Sequence, residues 1–167
     1  VSLSLDEIYD LAKKTLLYNG CDELNATSVA KTVTEAEKDG SVSHGLFRIP
    51  GYVASLNSKK VNGKSRPKLK NITQNAICVD SDYGFAPMAI NVGIPALIEI
   101  TKKLGIGILT IKNTHHFAAL WHETEALAEK NLIGIACTAY KPSVAPAGAK
   151  KPLFGTNPIS FAWPRKG

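Results

Sequence analysis

At 167 residues, 44% hydrophobic and 20% charged, the chain has the make-up of a globular domain able to bury a real core. No apolar run reaches the ~20 residues that a bilayer crossing needs, and Val1 to Glu7 lack the basic-then-apolar pattern of a secretory signal. The net charge is +6, much of it in Lys59, Lys60, Lys64, Arg66, Lys68 and Lys70; no aromatic residue interleaves that run, which favours a solvated face over a nucleic-acid surface.

In chain order, Ser4 and Glu7 form a capping box. Leu5, Ile8, Leu11, Ala12 and Leu16 follow at helical spacing, and Asn19-Gly20 ends that helix. Asp22 caps a second helix carrying Leu24, Val29, Ala30, Val33 and Ala36, which stops near Asp39-Gly40. A third helix is predicted over 46–56, disturbed by Pro50 and Gly51. Residues 57–70 are polar and basic and predict a loop. A strand is expected at 76–80, a helix at 87–103 and a buried strand at 106–112. A helix over 117–130 and a strand over 132–138 complete one strand–helix–strand unit, which predicts parallel pairing. Residues 141–158 hold four prolines and two glycines, too broken for regular structure, and 159–163 is a last short strand. The fold class is therefore α/β. A helical segment, 1–70, precedes an α/β segment, 71–167, with a mixed or parallel sheet. So few strands would leave a sheet edge open, which suggests an incomplete fold or one that needs a partner.

Cys21, Cys78 and Cys137 are widely spaced with no C-x-x-C pair. They predict a reduced, cytoplasmic compartment and no cysteine-based zinc site. The sequons at Asn25 and Asn71 read as chance matches. Gly105-Ile106-Gly107 stands before its strand, whereas a dinucleotide fingerprint follows one; an ordinary Rossmann signature is missing. Gly63-Lys64-Ser65 has the end of a phosphate loop, but Ser58 stands where the earlier glycine belongs and no strand precedes it.

Ser43-His44-Gly45-Leu46-Phe47-Arg48 places a hydroxyl, an imidazole and a guanidinium within six residues. If the segment opens a helix, His44 and Arg48 share a face at i and i+4. That pairs a group able to exchange a proton near neutral pH with a fork suited to a carboxylate. Singly, the three residues read equally as a cap, a surface histidine and a surface arginine. His115 and His116 fall between a predicted strand and a predicted helix. They are either an anion site at a helix start or a polar helix entry. With His122 they match no common metal-ligand spacing, and no metal is expected. Gly155-Thr156-Asn157-Pro158 is either a turn or a place where the Thr156 hydroxyl holds a substrate oxygen.

These segments together resemble the malate/L-lactate dehydrogenase-like family, NAD(P)-dependent oxidoreductases without a Rossmann fold. The carriers are the S-H-G-x-x-R segment at 43–48, His116-Phe117, and Gly155 to Pro158. Within it, Ser43 to Tyr52, His115-His116-Phe117-Ala118-Ala119-Leu120-Trp121 and Pro152 to Pro158 look most like the Δ1-piperideine-2-carboxylate/Δ1-pyrroline-2-carboxylate reductases. The resemblance implies reduction of a cyclic imino acid, with a 2-hydroxy-acid dehydrogenase or an inactive truncated fragment as alternatives. It implies that Ser43 orients His44, that His44 donates the proton, and that Arg48, Tyr52 and Thr156 contact a small carboxylate substrate. It implies that His116, Phe117, Ala118, Ala119 and Leu120 border the cofactor, NADPH or NADH, and that the family enzyme is a homodimer. Family members are longer. After the G-T-N-P strand they carry an aspartate that completes the serine–histidine arrangement, so this chain is expected to hold one wall of the site.

Overall fold

A computed structural model describes residues 2–165. The chain divides after Ala119 into two compact units.

In the first unit, helix α1 (Leu5–Tyr18) begins at the full capping box of Ser4 and Glu7. Helix α2 (Glu23–Lys38) begins at Asp22, whose side chain accepts from the Asn25 N–H. The apolar stripes of the two helices meet in a core of Ala12, Leu16, Ala26, Val29, Ala30 and Val33, closed by Tyr52, Leu56, Val61 and Phe85. Leu5, Leu11 and Leu24 belong to the same spacing but lie exposed. Asn25 is wholly buried: its amide nitrogen donates to Asp22 at 2.8 Å, and its oxygen accepts from the Ser65 hydroxyl at 2.7 Å. Arg66 pairs with Asp22 at 2.7 Å. This network fastens the basic loop to the start of α2 and leaves the Asn25 sequon no room for a glycan.

The predicted helix over 46–56 starts later. Two single 3₁₀ turns, Val42–His44 and Leu46–Arg48, lead into α3 (Ile49–Asn57). Pro50 lies in the first turn of α3, where its missing N–H has no partner to lose, so it starts the helix instead of disturbing it. The predicted 57–70 loop ends in a strand, β1 (Lys68–Asn71), all four residues of which are exposed. Its lysines and lack of a buried face made it look like loop, and an edge strand has that composition for good reason.

Strand β1 pairs antiparallel with β2 (Ala76–Asp80), and β2 pairs parallel with β3 (Ile108–Lys112). Helix α4 (Ala86–Leu104) makes the crossover between β2 and β3 and packs on them through Gly93. A β-carbon there would stand 2.7 Å from Leu109 and 3.3 Å from Val79. β3 is the end strand of its sheet and alternates exposed with half-buried residues. The expectation of a fully buried strand is overturned, because α4 covers one face only.

The second unit holds α5 (Trp121–Ala128) and a two-stranded antiparallel sheet of β4 (Gly134–Cys137) and β5 (Ile159–Ala162). The Thr124 and Ser160 hydroxyls share a hydrogen bond of 2.8 Å, joining helix to sheet. The predicted strand–helix–strand unit over 106–138 is therefore corrected: β3 joins β2, β4 joins β5, and the parallel pair spans α4. The 139–158 segment is irregular apart from a bridge between Val144 and Phe154. Among the described residues no helix is long and apolar enough to cross a membrane.

Candidate active site

The segment after α2 is built around Glu37. Its carboxylate accepts from the Leu46 N–H at 2.7 Å, and it lies where a β-carbon on Gly45 would be. Glycine there lets the Glu37 carboxylate lie against the backbone of the turn. His44 and Arg48 therefore do not share a helix face. Gly45, with φ −85° and ψ −141°, separates two 3₁₀ turns and aims each side chain by its own turn. The His44 Nδ1 lies 3.0 Å from the Ser43 hydroxyl and 3.3 Å from the Ser41 hydroxyl. Arg48 is half-buried, and its Nε is buried without a hydrogen-bond partner among the described residues. A buried cationic donor lacking a partner is costly unless an acceptor arrives.

Tyr52, on the first turns of α3, is buried with its ring edge against Phe85 at 5.1 Å. Its hydroxyl shares a 3.1 Å hydrogen bond with the His116 Nδ1. Burial pushes the Tyr52 phenol up to about 12, opposed by the charge of Arg48. Burial pushes His116 down to about 4, helped by the charges of Arg48, His115 and His44. His116 is thus a neutral imidazole at pH 7, and His44, Arg48, Tyr52 and His116 form one electrostatic cluster. The His116 backbone has φ 49°, a left-handed conformation that is sparsely used without glycine and that clusters at functional sites. His115, beside it, has its N–H on the Gly84 carbonyl at 2.9 Å and its ring edge against Phe85. Burial, then the charge of Lys60, lowers its pKa.

The predicted helix over 117–130 begins only at Trp121. His116 to Ala119 run without regular structure, so neither histidine stands at a helix start and the anion site expected there is not formed. What keeps His116 uncharged is burial and its cationic neighbours. Phe117 and Ala118 are half-buried, and Ala119 is 5% exposed.

Leu120 and Thr156 belong to the second unit. Leu120 is buried and precedes α5; Thr156 is exposed. The Thr156 loop is a built turn: Asn157 has φ 42° and its side-chain oxygen accepts from the Tyr140 N–H at 2.9 Å. Glu123, in the first turn of α5, is 8% exposed, with Oε2 buried and unpartnered among the described residues. Burial pushes its carboxyl up to about 7.

Sequence reasoning missed Glu37, Ser41, Phe85 and Glu123. An acid seven residues before His44, ahead of a glycine-bearing turn, was the signal for Glu37. Nothing local marks Phe85 or the burial of Glu123.

An imidazole held by serine hydroxyls and a half-buried arginine whose Nε has no hydrogen-bond partner among the described residues stand together on a mixed α/β scaffold. Residues 3–167 match the malate/L-lactate dehydrogenase family, and the chain belongs to it. It is 41% identical over 167 residues to the Δ1-pyrroline-2-carboxylate reductase 2 of Burkholderia multivorans, covering 100% of this chain and 49% of that one. It is 39% identical over 165 residues to the Δ1-pyrroline-2-carboxylate/Δ1-piperideine-2-carboxylate reductase of Pseudomonas aeruginosa, covering 99% and 49%. The solved Δ1-piperideine-2-carboxylate reductase of Pseudomonas syringae superposes with a TM-score of 0.92 at 39% identity, covering 100% and 50%. The malate dehydrogenase of Pyrococcus horikoshii superposes with a TM-score of 0.91 at 29% identity, covering 100% and 48%. The chain spans about half the length of the curated relatives it matches.

Proposed function

We propose that this chain forms the proton-donor and carboxylate-binding wall of an NAD(P)H-dependent reductase of cyclic imino acids. The substrate would be Δ1-piperideine-2-carboxylate or Δ1-pyrroline-2-carboxylate. The observation that carries this is His44, fixed at Nδ1 by hydroxyls, together with the buried Nε of Arg48, which has no partner among the described residues. Arg48 would bind the substrate carboxylate and set the ring's orientation. His44 would give its proton to the imine nitrogen through Nε2, since Nδ1 is turned to Ser43 and Ser41. A histidine titrates where such a donor must. Tyr52 would line the pocket and lock His116 through their hydrogen bond, and Thr156 would contact the substrate from its turn.

The residues fit a nicotinamide. His116 is uncharged and locked in an uncommon backbone conformation, and Ala118 and Ala119 offer only methyl groups to a flat ring. When bound, NADPH or NADH supplies the hydride that reduces the imine carbon. His116, Phe117, Ala118, Ala119 and Leu120 would border it. The three cysteines are free and Cys21 is buried, which supports the cytoplasm as the compartment.

A 2-hydroxy-acid dehydrogenase is the second reading. It rests on the P. horikoshii malate dehydrogenase, nearly as similar in fold as the imine reductase but ten points lower in identity, 29% against 39%. The test is NADPH oxidation by the intact protein, with the two cyclic imines compared with pyruvate and oxaloacetate. Imine turnover is expected to dominate; turnover of the oxoacids alone would overturn the proposal. His44→Gln is expected to lower kcat by ~10²–10⁴ with little change in cofactor Kd. Equal losses in both would remove His44 from the proton-donor role.

A further inference from the structure

The hydrogen bond between Tyr52 and His116 has a direction that its surroundings set. The Tyr52 ring packs edge-on against Phe85, and the residue is 6% exposed. Its hydroxyl meets the His116 Nδ1 at 3.1 Å and no other acceptor among the described residues. A buried O–H that donates to nothing is costly. Were the imidazole to donate from Nδ1, the phenol would accept that proton and leave its own hydrogen unused. The phenol therefore donates, Nδ1 accepts, and the one ring proton of the neutral imidazole sits on Nε2. The charges that reach this ring belong to Arg48, His44 and the adjoining His115, and all three resist a second proton on it. The left-handed backbone at His116, with φ 49°, fixes where the ring leaves the chain.

We propose that Tyr52 is a positioning residue: by donating to Nδ1 it fixes His116 as the Nε2–H tautomer, and that N–H donates to a carbonyl-type oxygen of a bound ligand. Nε2 has no partner among the described residues. The other tautomer would turn a lone pair towards the same oxygen and repel it. The choice of ligand rests on the reductase reading above, which supplies two oxygens of this chemistry: one on the substrate carboxylate and one on the nicotinamide carboxamide. The Tyr52 hydroxyl has its only hydrogen committed to His116, so it has none to give a substrate carboxylate and acts through the imidazole.

Imidazole ¹⁵N NMR of the intact protein at pH 7 reads the tautomer, with His116 assigned by the signals lost in His116→Gln. A protonated Nε2 and an unprotonated Nδ1 are expected; a proton on Nδ1 overturns the proposal. Tyr52→Phe keeps the ring against Phe85 and removes only the donor. Its Nδ1 resonance is expected to move away from the position of a protonated nitrogen, and an unmoved resonance overturns the proposal too. The ligand is tested by the NADPH Kd and the imine KM of wild type, Tyr52→Phe, His116→Gln and the double variant. Tyr52→Phe is expected to weaken one of the two by about two- to tenfold, with kcat affected less. A weaker NADPH Kd assigns the oxygen to the carboxamide, and a raised imine KM alone assigns it to the carboxylate. With His116→Gln already in place, Tyr52→Phe is expected to cost less than about twofold more, because the group it acts through is gone. Unchanged Kd and KM in Tyr52→Phe, or the same loss with and without His116, overturns the proposal. The tautomer is read without turnover, so a proton found on Nδ1 leaves the imine-reductase proposal standing, and a failed imine assay leaves the NMR and NADPH results to decide this one.

Discussion

Gly45 occupies a place that any side chain would contest with a carboxylate. A β-carbon there meets the end of Glu37, and Glu37 is the group that holds the Leu46 N–H. The Glu37 side chain is flexible, so Gly45→Ala displaces it instead of breaking the fold. The cost is then that of a charge-assisted hydrogen bond, about 1.5–3 kcal/mol, and the turn between His44 and Arg48 loosens. Calorimetric unfolding of Gly45→Ala, Glu37→Ala and the double variant checks this. Non-additivity is expected, because once Glu37 is shortened the alanine has room. Strict additivity would mean that the two residues act separately. The same logic applies at the imidazole. Ser43→Ala leaves the Ser41 hydroxyl 3.3 Å from Nδ1, so either serine alone is expected to be partly dispensable for the orientation of His44. Removal of both should shift the His44 ring ¹⁵N resonances more than the two single changes combined. A double variant whose resonances match the Ser43→Ala protein would assign Ser41 no part in holding the ring.

At the scale of elements, α4 reaches the sheet through a glycine. Gly93→Ala forces the Leu109 side chain off its place, for an expected loss of about 1–3 kcal/mol. Leu109→Val in the same chain is expected to return part of it; an unchanged Tm for Gly93→Ala alone would show that Leu109 relaxes without cost. Helix starts were legible in the sequence because their signals are local. Ser4 with Glu7, and Asp22, are chemistry at fixed offsets, and both caps form as read. Strands were legible at 76–80 and, from the β-branched run expected at 106–112, at 108–112. Their partners were not, since pairing is decided by residues far apart in the chain, and β3 joined the strand before α4 instead of the one after α5. The helix start near His116 misled for a different reason. Phe117, Ala119 and Leu120 have helical spacing, but their burial is met outside a helix. At the site, the residue types were legible and the backbone that carries them was not: His44 and Arg48 gather with His116 across a glycine break, not along one helix face.

The whole molecule carries two titrations of opposite sign, one in each unit. His116, in the first unit, has its pKa lowered from 6.5 to about 4. Between those values the unfolded chain binds a proton that the folded chain refuses, so its contribution to stability is full above pH 6.5 and is lost as pH falls towards 4. His115 acts in the same direction. Glu123, in the second unit, has its pKa raised from 4.5 to about 7. There the folded chain keeps a proton that the unfolded chain releases, so its contribution is full below pH 4.5 and is lost as pH rises through 7. From pH 4.5 to 6.5 the two slopes oppose each other. Scanning calorimetry across that window is expected to show His116→Gln lowering the slope of Tm against pH and Glu123→Gln raising it. Should the units melt in separate transitions, each variant moves its own peak alone. Glu123→Gln should also stabilise the protein more at pH 8 than at pH 5, because at pH 8 the wild-type carboxyl must either ionise while buried or hold its proton against the solvent. Two variants that move the slope in the same sense would mean that at least one of these side chains is solvated in the working protein. For Glu123, whose Oε2 lies buried and unpartnered among the described residues, that result would place water or a polar group of another chain against the start of α5.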